Sequence, residues 1–487
     1  MRTTLMRGTR LKTDMQRQAS PAVLALSVLA GAFALATAAA PAFGALTLGP
    51  VSRVSGSAQP HYAPEAAVSS DGRALVSWGE GTSGRIVARL GRAGGAWGSE
   101  QTLVERGVPR VQALGSNGTA ALAWATGETQ SNRRARIYLS IAPPGGRFGA
   151  ARLVASGTWL TEPTAIVVRP DGEVVLTWLH WLPGRAGSSP GVEGGNPSDL
   201  EYATAGAGRP LATHRLVVSG RGSPQLAVDA QGAVLLSGET PLGTAQFPNS
   251  QALAATMAPA AQTFAPAQVY AAGQADGYGS SDDELASGPS GVDLLVHLEP
   301  ESSAASDELL ALEPDGRLSP GRMLAPAAVP ADPNAETLGS SVALARDGAL
   351  VRAMSEIRYK REYRGPLEAE AVFGVVTPAN ASALSPPRAI FSSPLPTLPL
   401  APVTVAFGEA TVAVWQQDVR ARSCQMRLYY AVRLDGQEAF SHRAPLSPVF
   451  GERGNCGTDE VAFAGGGGRA LAAWEEHGAI AVRWLSD

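Results

Sequence analysis

Few groups in this chain of 487 residues could carry reactive chemistry. Cysteine occurs only at Cys424 and Cys456, and lysine only at Lys12 and Lys360. The six histidines (His61, His180, His214, His297, His442 and His477) are scattered without a ligand pair, and no Cys/His set has zinc spacing. Charged residues make up 17%, too few for extensive ion-pair networks. The net charge of -4 lacks the basic excess with which nucleic-acid binders neutralise phosphates. Only one apolar run approaches the length of a bilayer crossing, so a polytopic membrane protein is excluded. What is abundant is punctuation: 55 Gly and 36 Pro argue against long helices, while 45% hydrophobic residues still supply a core.

The one apolar run lies at the start. Arg2, Arg7, Arg10, Lys12 and Arg17 precede an alanine-rich stretch from Pro21 to Ala40, followed by small residues at Ala42 and Gly44. This is the pattern of an export signal, residues 1–44, cleaved between about Ala40 and Ala45; the alternative is an uncleaved anchor. Cleavage would bring the net charge to about -8 and place the protein outside the cytoplasm, secreted or associated with the cell envelope, with no integral membrane domain remaining. Scarce lysine and abundant alanine suit a high-GC bacterial genome.

The rest of the chain is an internal repeat. Pro64-Glu-Ala-Ala-Val-Ser-Ser-Asp71-Gly72-Arg-Ala-Leu-Val-Ser-Trp78 reads as strand, tight turn and strand. The unit returns with turns at Asn117-Gly118, Asp171-Gly172, Gln231-Gly232, Ser290-Gly291, Asp347-Gly348, Gly408 and Gly468. These turn glycines stand 46, 54, 60, 59, 57, 60 and 60 residues apart. Five of nine tryptophans (Trp78, Trp124, Trp178, Trp415, Trp474) share one position of the unit. Asp-Gly and Asn-Gly supply the positive φ of a tight hairpin. The second strands, such as Val174-Val-Leu-Thr-Trp178, are apolar on nearly every residue, the signature of a strand buried on both faces. A third strand (Arg85 to Leu90, Arg427 to Val432) and a weaker fourth follow each hairpin.

Four antiparallel strands per unit describe a propeller blade. The expected fold is therefore all-β: one β-propeller domain over 45–487 with eight four-stranded blades, starting near residues 64, 109, 163, 224, 283, 339, 402 and 459. The last unit stops one strand short at Ile480 to Trp484, and Leu46 to Val54 is an orphan strand that would complete it. An open solenoid or two separate β-domains are the alternatives. The pattern resembles that of secreted bacterial β-propeller repeat proteins, loosely sialidase-like and WD40-like in its paired Gly and Trp. It lacks the sialidase Asp-box Ser-x-Asp-x-Gly-x-x-Trp, because Asp and Gly are adjacent here, and it has no WD series.

In this scheme Cys424 precedes the third strand of blade seven and Cys456 lies between blades seven and eight, on one face. A disulfide between them is expected in an exported chain, worth about 3 kcal/mol on the chain-entropy model. Polar residues begin each innermost strand: Glu65, Arg110, Thr164, Gln225, Glu284, Ser340, Thr404 and Glu460. Blades eight, one and two would bring Glu460, Glu65 and Arg110 together, either as a carboxylate pair for acid–base work or as a neutralised, wetted ring. Asp276, Asp282, Asp283 and Glu284 could hold Ca²⁺ or form a solvated turn, and their spacing departs from the helix-loop-helix calcium loop. The long loops after the second strands carry Ser131 to Arg136, His180-Trp181, and Tyr359 and Arg361. Aromatic rings beside cations grip sugars or partners, or else pack on their own blade.

No nucleophile elbow, phosphate loop or dinucleotide fingerprint occurs in a fitting context, although propeller enzymes assemble sites from distant blades. The expected function is a monomeric, cofactor-free, non-catalytic propeller that binds a carbohydrate, a peptide or an envelope component and neither nucleic acid nor metal. Its candidate contacts are Glu65, Arg110, Glu284, Glu460, His180, Trp181, Tyr359 and Arg361. The alternative is a glycoside hydrolase or lyase using Glu65 and Glu460. Intact-mass measurement on the exported protein without reduction should give a chain starting between residues 41 and 45 and two hydrogens lighter than the dithiol. Two alkylatable thiols would exclude the disulfide.

Overall fold

The computed structural model describes residues 46–56, 61–81, 84–129, 131, 133–181, 198–206, 208–242, 249–270, 283–298, 306–325, 335–359, 367–393, 402–419, 425–450 and 461–487. Cys424, Cys456, Glu460, Arg361, Asp276 and Asp282 lie outside these residues, as do residues 1–45. The described residues form 31 strands and no helix, grouped as eight four-stranded antiparallel sheets arranged like propeller blades. In blade one, His61–Val68 is innermost, followed outward by Arg73–Glu80, Arg85–Arg92 and Gln101–Val104. Blades three and four share a strand, Ala212–Val228, whose first part is outermost in one sheet and whose last part is innermost in the next.

Blade eight draws on both ends of the chain. Val461–Gly466, Arg469–Glu476 and Ala479–Ser486 are joined by Thr47–Arg53, which pairs antiparallel with the last strand from Thr47 opposite Ser486 to Arg53 opposite Ala481. The Val54 N–H donates to Ile480 O at 2.9 Å and extends the ladder. The expected closure of the last blade by the N-terminal strand is thus present.

The core lies between blades. Ala74, Val76 and Trp78 of one second strand pack against Leu471, Ala473 and Val482 of blade eight, while Leu75 packs against Leu122 and Trp124 of blade two. Successive side chains of a strand point to opposite faces, so a strand flanked by two sheets must be apolar throughout. The repeated tryptophans all face the preceding blade, and none is more than 1% exposed. Their position is taken by Gly238, Val296 and Met354 in blades four, five and six.

The turns explain the Asp-Gly repeat. Gly72, Gly118, Gly172, Gly232 and Gly348 have φ between 77° and 94°, whereas the preceding Asp or Asn residues do not have positive φ. The acidic or amide side chain instead accepts from the backbone N–H two residues on: Asp71 from Arg73, Asn117 from Thr119, Asp171 from Glu173, Asp347 from Ala349. Blade four lacks Asp at this position, and Asp229, two residues earlier, accepts from Gln231 and Ala233. These are type I turns followed by a left-handed glycine.

Trp474→Ala, which removes a fully buried ring at the blade seven–eight seam, should cost about 3–5 kcal/mol in a denaturant melt. A cost below about 1 kcal/mol would contradict the inter-blade core.

Candidate functional site

The two ends of the blades differ in construction. The crossovers between blades and the connections from second to third strands form a loop end; the tight turns form a hairpin end. At the loop end the innermost strands are bulged, with register shifts at Tyr62/Glu65, Pro109/Val111, Leu160/Pro163, Arg221/Gln225 and Thr337/Gly339. Pro64, Pro109, Pro163 and Pro224 sit at or beside these bulges, where a residue without an N–H costs no ladder bond. This is the physical reason for the proline that opens the repeat.

Several described polar residues next to the bulges tie neighbouring blades. Gln112 accepts from Ser77 Oγ at 2.7 Å and donates to Leu75 O at 3.1 Å, both in blade one. Gln225 accepts from Leu285 N at 3.4 Å, and Ser341 Oγ accepts from Thr404 N. Glu284 accepts from Ser340 Oγ and lies 3.2 Å from Nε of Arg352, both in the next blade. Its carboxylate is neutralised across a blade seam. Thr164 bonds within its own blade, to Thr177. Glu65 is half-buried opposite Ser77. Arg110 is described only as backbone of Val108–Leu114, so its expected meeting with Glu65 and Glu460 lies outside the described residues. Tyr359 ends a second strand opposite Leu367. Among the described residues no group of three His, Cys, Asp or Glu could hold a metal.

The richest corner lies where blade two hands over to blade three. Trp159 has φ +62°, a strained conformation for a bulky residue. It is pinned from both sides: its N–H donates to Ser131 O at 2.7 Å, and its carbonyl accepts from Trp181 N at 3.0 Å. The adjoining bulge is held by Thr161, whose Oγ1 accepts from Leu179 N at 2.9 Å and donates to Glu162 O. Glu162 accepts in turn from Thr129 of the blade-two loop at 3.3 Å. Beside this, Glu201 receives the buried Trp178 indole N–H at 2.7 Å and lies 3.4 Å from His180 Nδ1. Trp181 packs half-buried on the apolar cluster between blades three and four. His180 and Trp181 are thus brought together with Glu201 and Trp159, two residues that the repeat pattern did not single out. The available signal was that Trp159 falls outside the shared tryptophan position.

This corner offers indole surface, an imidazole and a carboxylate, a set that hydrogen-bonds hydroxyl groups and stacks on flat apolar faces. Among the described residues no hydroxyl or thiol hydrogen-bonds His180, so the nucleophile–base contact of a triad is not assembled there.

No family model matches the chain, and no curated protein does. Among solved structures it is similar to a protein of unknown function from Dyadobacter fermentans, at 8% identity over 91% of this chain and 100% of that one, TM-score 0.42. It is also similar to the β-propeller domain of the trilobed protease from Pyrococcus furiosus (7%, 80% and 99%, TM-score 0.41). A third is the NanB sialidase from Streptococcus pneumoniae (7%, 88% and 94%, TM-score 0.36). The likeness reaches no further than the fold.

Arginines tie the hairpin end. Arg169, buried, pairs with Glu173 at 2.8 Å and donates to Ala261 O and Ala258 O of the next blade. Arg433, equally buried, grips Asp347 of the preceding blade. Burial pushes the Asp347 carboxyl up, but the Arg433 guanidinium and the N–H groups of Gly436 and Ala349 outweigh it and hold the pKa at about 2. Asp293 is opposite in sense: burial raises it to about 6, with Arg322 compensating only in part.

Asp347, depressed below the unfolded value near 3.9, gives stability that is present above about pH 4 and lost as pH falls towards 2. Asp293, raised, binds its proton in the native state first, so stability rises as pH falls from about 6 to about 4. Thermal melts should therefore show Asp293→Asn more stable than wild type at pH 7 and no more stable at pH 4. Asp347→Asn should be less stable at pH 7 and converge on wild type near pH 2. Parallel profiles would refute both assignments.

Proposed function

We propose that this is an exported, non-catalytic binding propeller whose loop end takes a carbohydrate at the corner formed by Trp159, His180, Trp181 and Glu201. The supporting observation is the strained Trp159. A bulky residue at φ +62° costs about 1–3 kcal/mol relative to a relaxed backbone, and such strain concentrates at ligand clamps. Half-buried indoles beside a carboxylate–imidazole pair suit the alternating apolar and hydroxylated faces of a sugar. Export is proposed from the basic, then apolar, leader. Glu284, one of the candidate carboxylates, is bound across a seam by Ser340 and Arg352, an arrangement that suits structure better than proton transfer.

Trp159→Gly separates this reading from a packing role, because glycine adopts positive φ without strain. The variant should melt at or above the wild-type temperature while binding to its glycan, identified on an array, falls by at least tenfold. Loss of stability with unchanged binding would reject the site. Array silence with capture of envelope peptides would move the ligand class to peptide, and turnover of a bound glycan would restore the enzyme reading.

A further inference from the structure

A second site, distinct from the loop-end corner, lies at the hairpin end. A cavity of about 420 Å³ opens at the seam of blades one and two, with Arg73, Arg92, Arg147, Ser99 and Gln101 among its walls. The remaining walls are mostly small residues, including Gly91, Gly98, Gly145 and Gly146, which expose backbone and leave room. Gly118, at φ +86°, is needed here: a Cβ on it would come within 1.9 Å of Arg73 Nη1. The missing side chain is what lets the Arg73 guanidinium lie over the turn of the next blade.

The three guanidiniums are poorly neutralised. Asp71 engages Arg73 through Nε at 2.9 Å, leaving Arg73 Nη1 buried without a hydrogen-bond partner. Arg92 donates to the Asp71 carbonyl at 3.4 Å and shares the single Asp71 carboxylate electrostatically with Arg73. Arg147 makes no ion pair or hydrogen bond among the described residues. The nearby Glu100 is turned away, accepting from Gly56 N at 2.6 Å and lying 3.6 Å from Arg89. Gln101 spends its carbonyl oxygen on Phe148 N at 3.0 Å, which leaves its amide N–H groups as donors. In a chain of net charge -4, a cavity walled by three cations with one carboxylate beside them carries a local excess of positive charge that favours an anion.

We propose that this cavity binds a phosphate or sulfate ester of a sugar-sized molecule, with Arg92 and Arg147 holding the oxyanion and Arg73 Nη1 and the Gln101 amide completing the donors. Planar guanidinium forks match such oxyanions bidentately. The volume exceeds that of a lone inorganic ion and falls in the range of small-molecule sites.

Titration calorimetry of the whole protein with glucose 6-phosphate, glucosamine 6-sulfate, inorganic phosphate and neutral glucose tests it. At least one ester should bind, more tightly than inorganic phosphate or glucose, and binding should weaken as salt rises from about 20 mM to about 500 mM. The preferred ester tells phosphate from sulfate recognition. Arg92→Gln/Arg147→Gln should weaken it by at least tenfold. Arg147→Gln alone, at an exposed side chain, should weaken it measurably if the double variant does not fold. Arg106→Gln, in a crossover between blades, and Trp159→Gly should leave ester binding unchanged, so that this site and the loop-end site fail independently. No ester binding to wild type, equal affinity for glucose, or undiminished binding by Arg147→Gln would overturn the proposal.

Discussion

The whole arrangement depends on strands that bury both of their faces. A second strand such as Arg73–Glu80 divides its apolar side chains between two neighbours, Val76 and Trp78 to blade eight and Leu75 to blade two. A blade on its own would leave one of those faces in water, at about 25 cal/mol for every Å² of apolar surface. Stability therefore resides in the seams, and the seam between the first and last blades has to exist as well. Thr47–Arg53 provides for that by completing the last sheet with chain from the other terminus.

The polar groups sort themselves around this constraint. Between the sheets there is little room for them, so they collect at the ends of the strands. At the loop end Gln112, Gln225, Ser341 and the Glu284–Ser340–Arg352 cluster bond from blade to blade. At the hairpin end Arg169 and Arg433 do so, each buried and hydrogen-bonded to a neighbouring blade. Two places depart from that economy. Trp159 holds a backbone conformation that its side chain disfavours, and Arg73, Arg92 and Arg147 gather with too little negative charge. A rigid scaffold can sustain such local costs because the seams far outweigh them, and ligand recognition on propellers is expected at their ends for the same reason.

Much of the fold was legible in the chain because it repeats. Glycines spaced by 46 to 60 residues and the shared tryptophan marked the hairpins, and uninterrupted apolar strands marked burial on both faces. The orphan strand before blade one implied closure. The handover between blades three and four was not legible: one strand, Ala212–Val228, serves both, because a strand leaving the outer edge of one sheet can run straight to the inner edge of the next. The candidate site was legible only in fragments. His180 and Trp181 stood out as chemically rich, but Glu201 and Trp159 come from other strands and gain meaning only through contact.

The sequence by itself determined the blade: turn chemistry and side-chain alternation act over a few residues, so a local pattern suffices to specify a hairpin and which faces must be dry. Only the tertiary structure decided which polar groups are spent on holding blades together and which are left over. That distinction depends on distances between residues 30 to 90 positions apart, as between Glu284 and Arg352 or Arg433 and Asp347. A carboxylate's chemistry is set by the charge that happens to face it, and no local pattern records that charge.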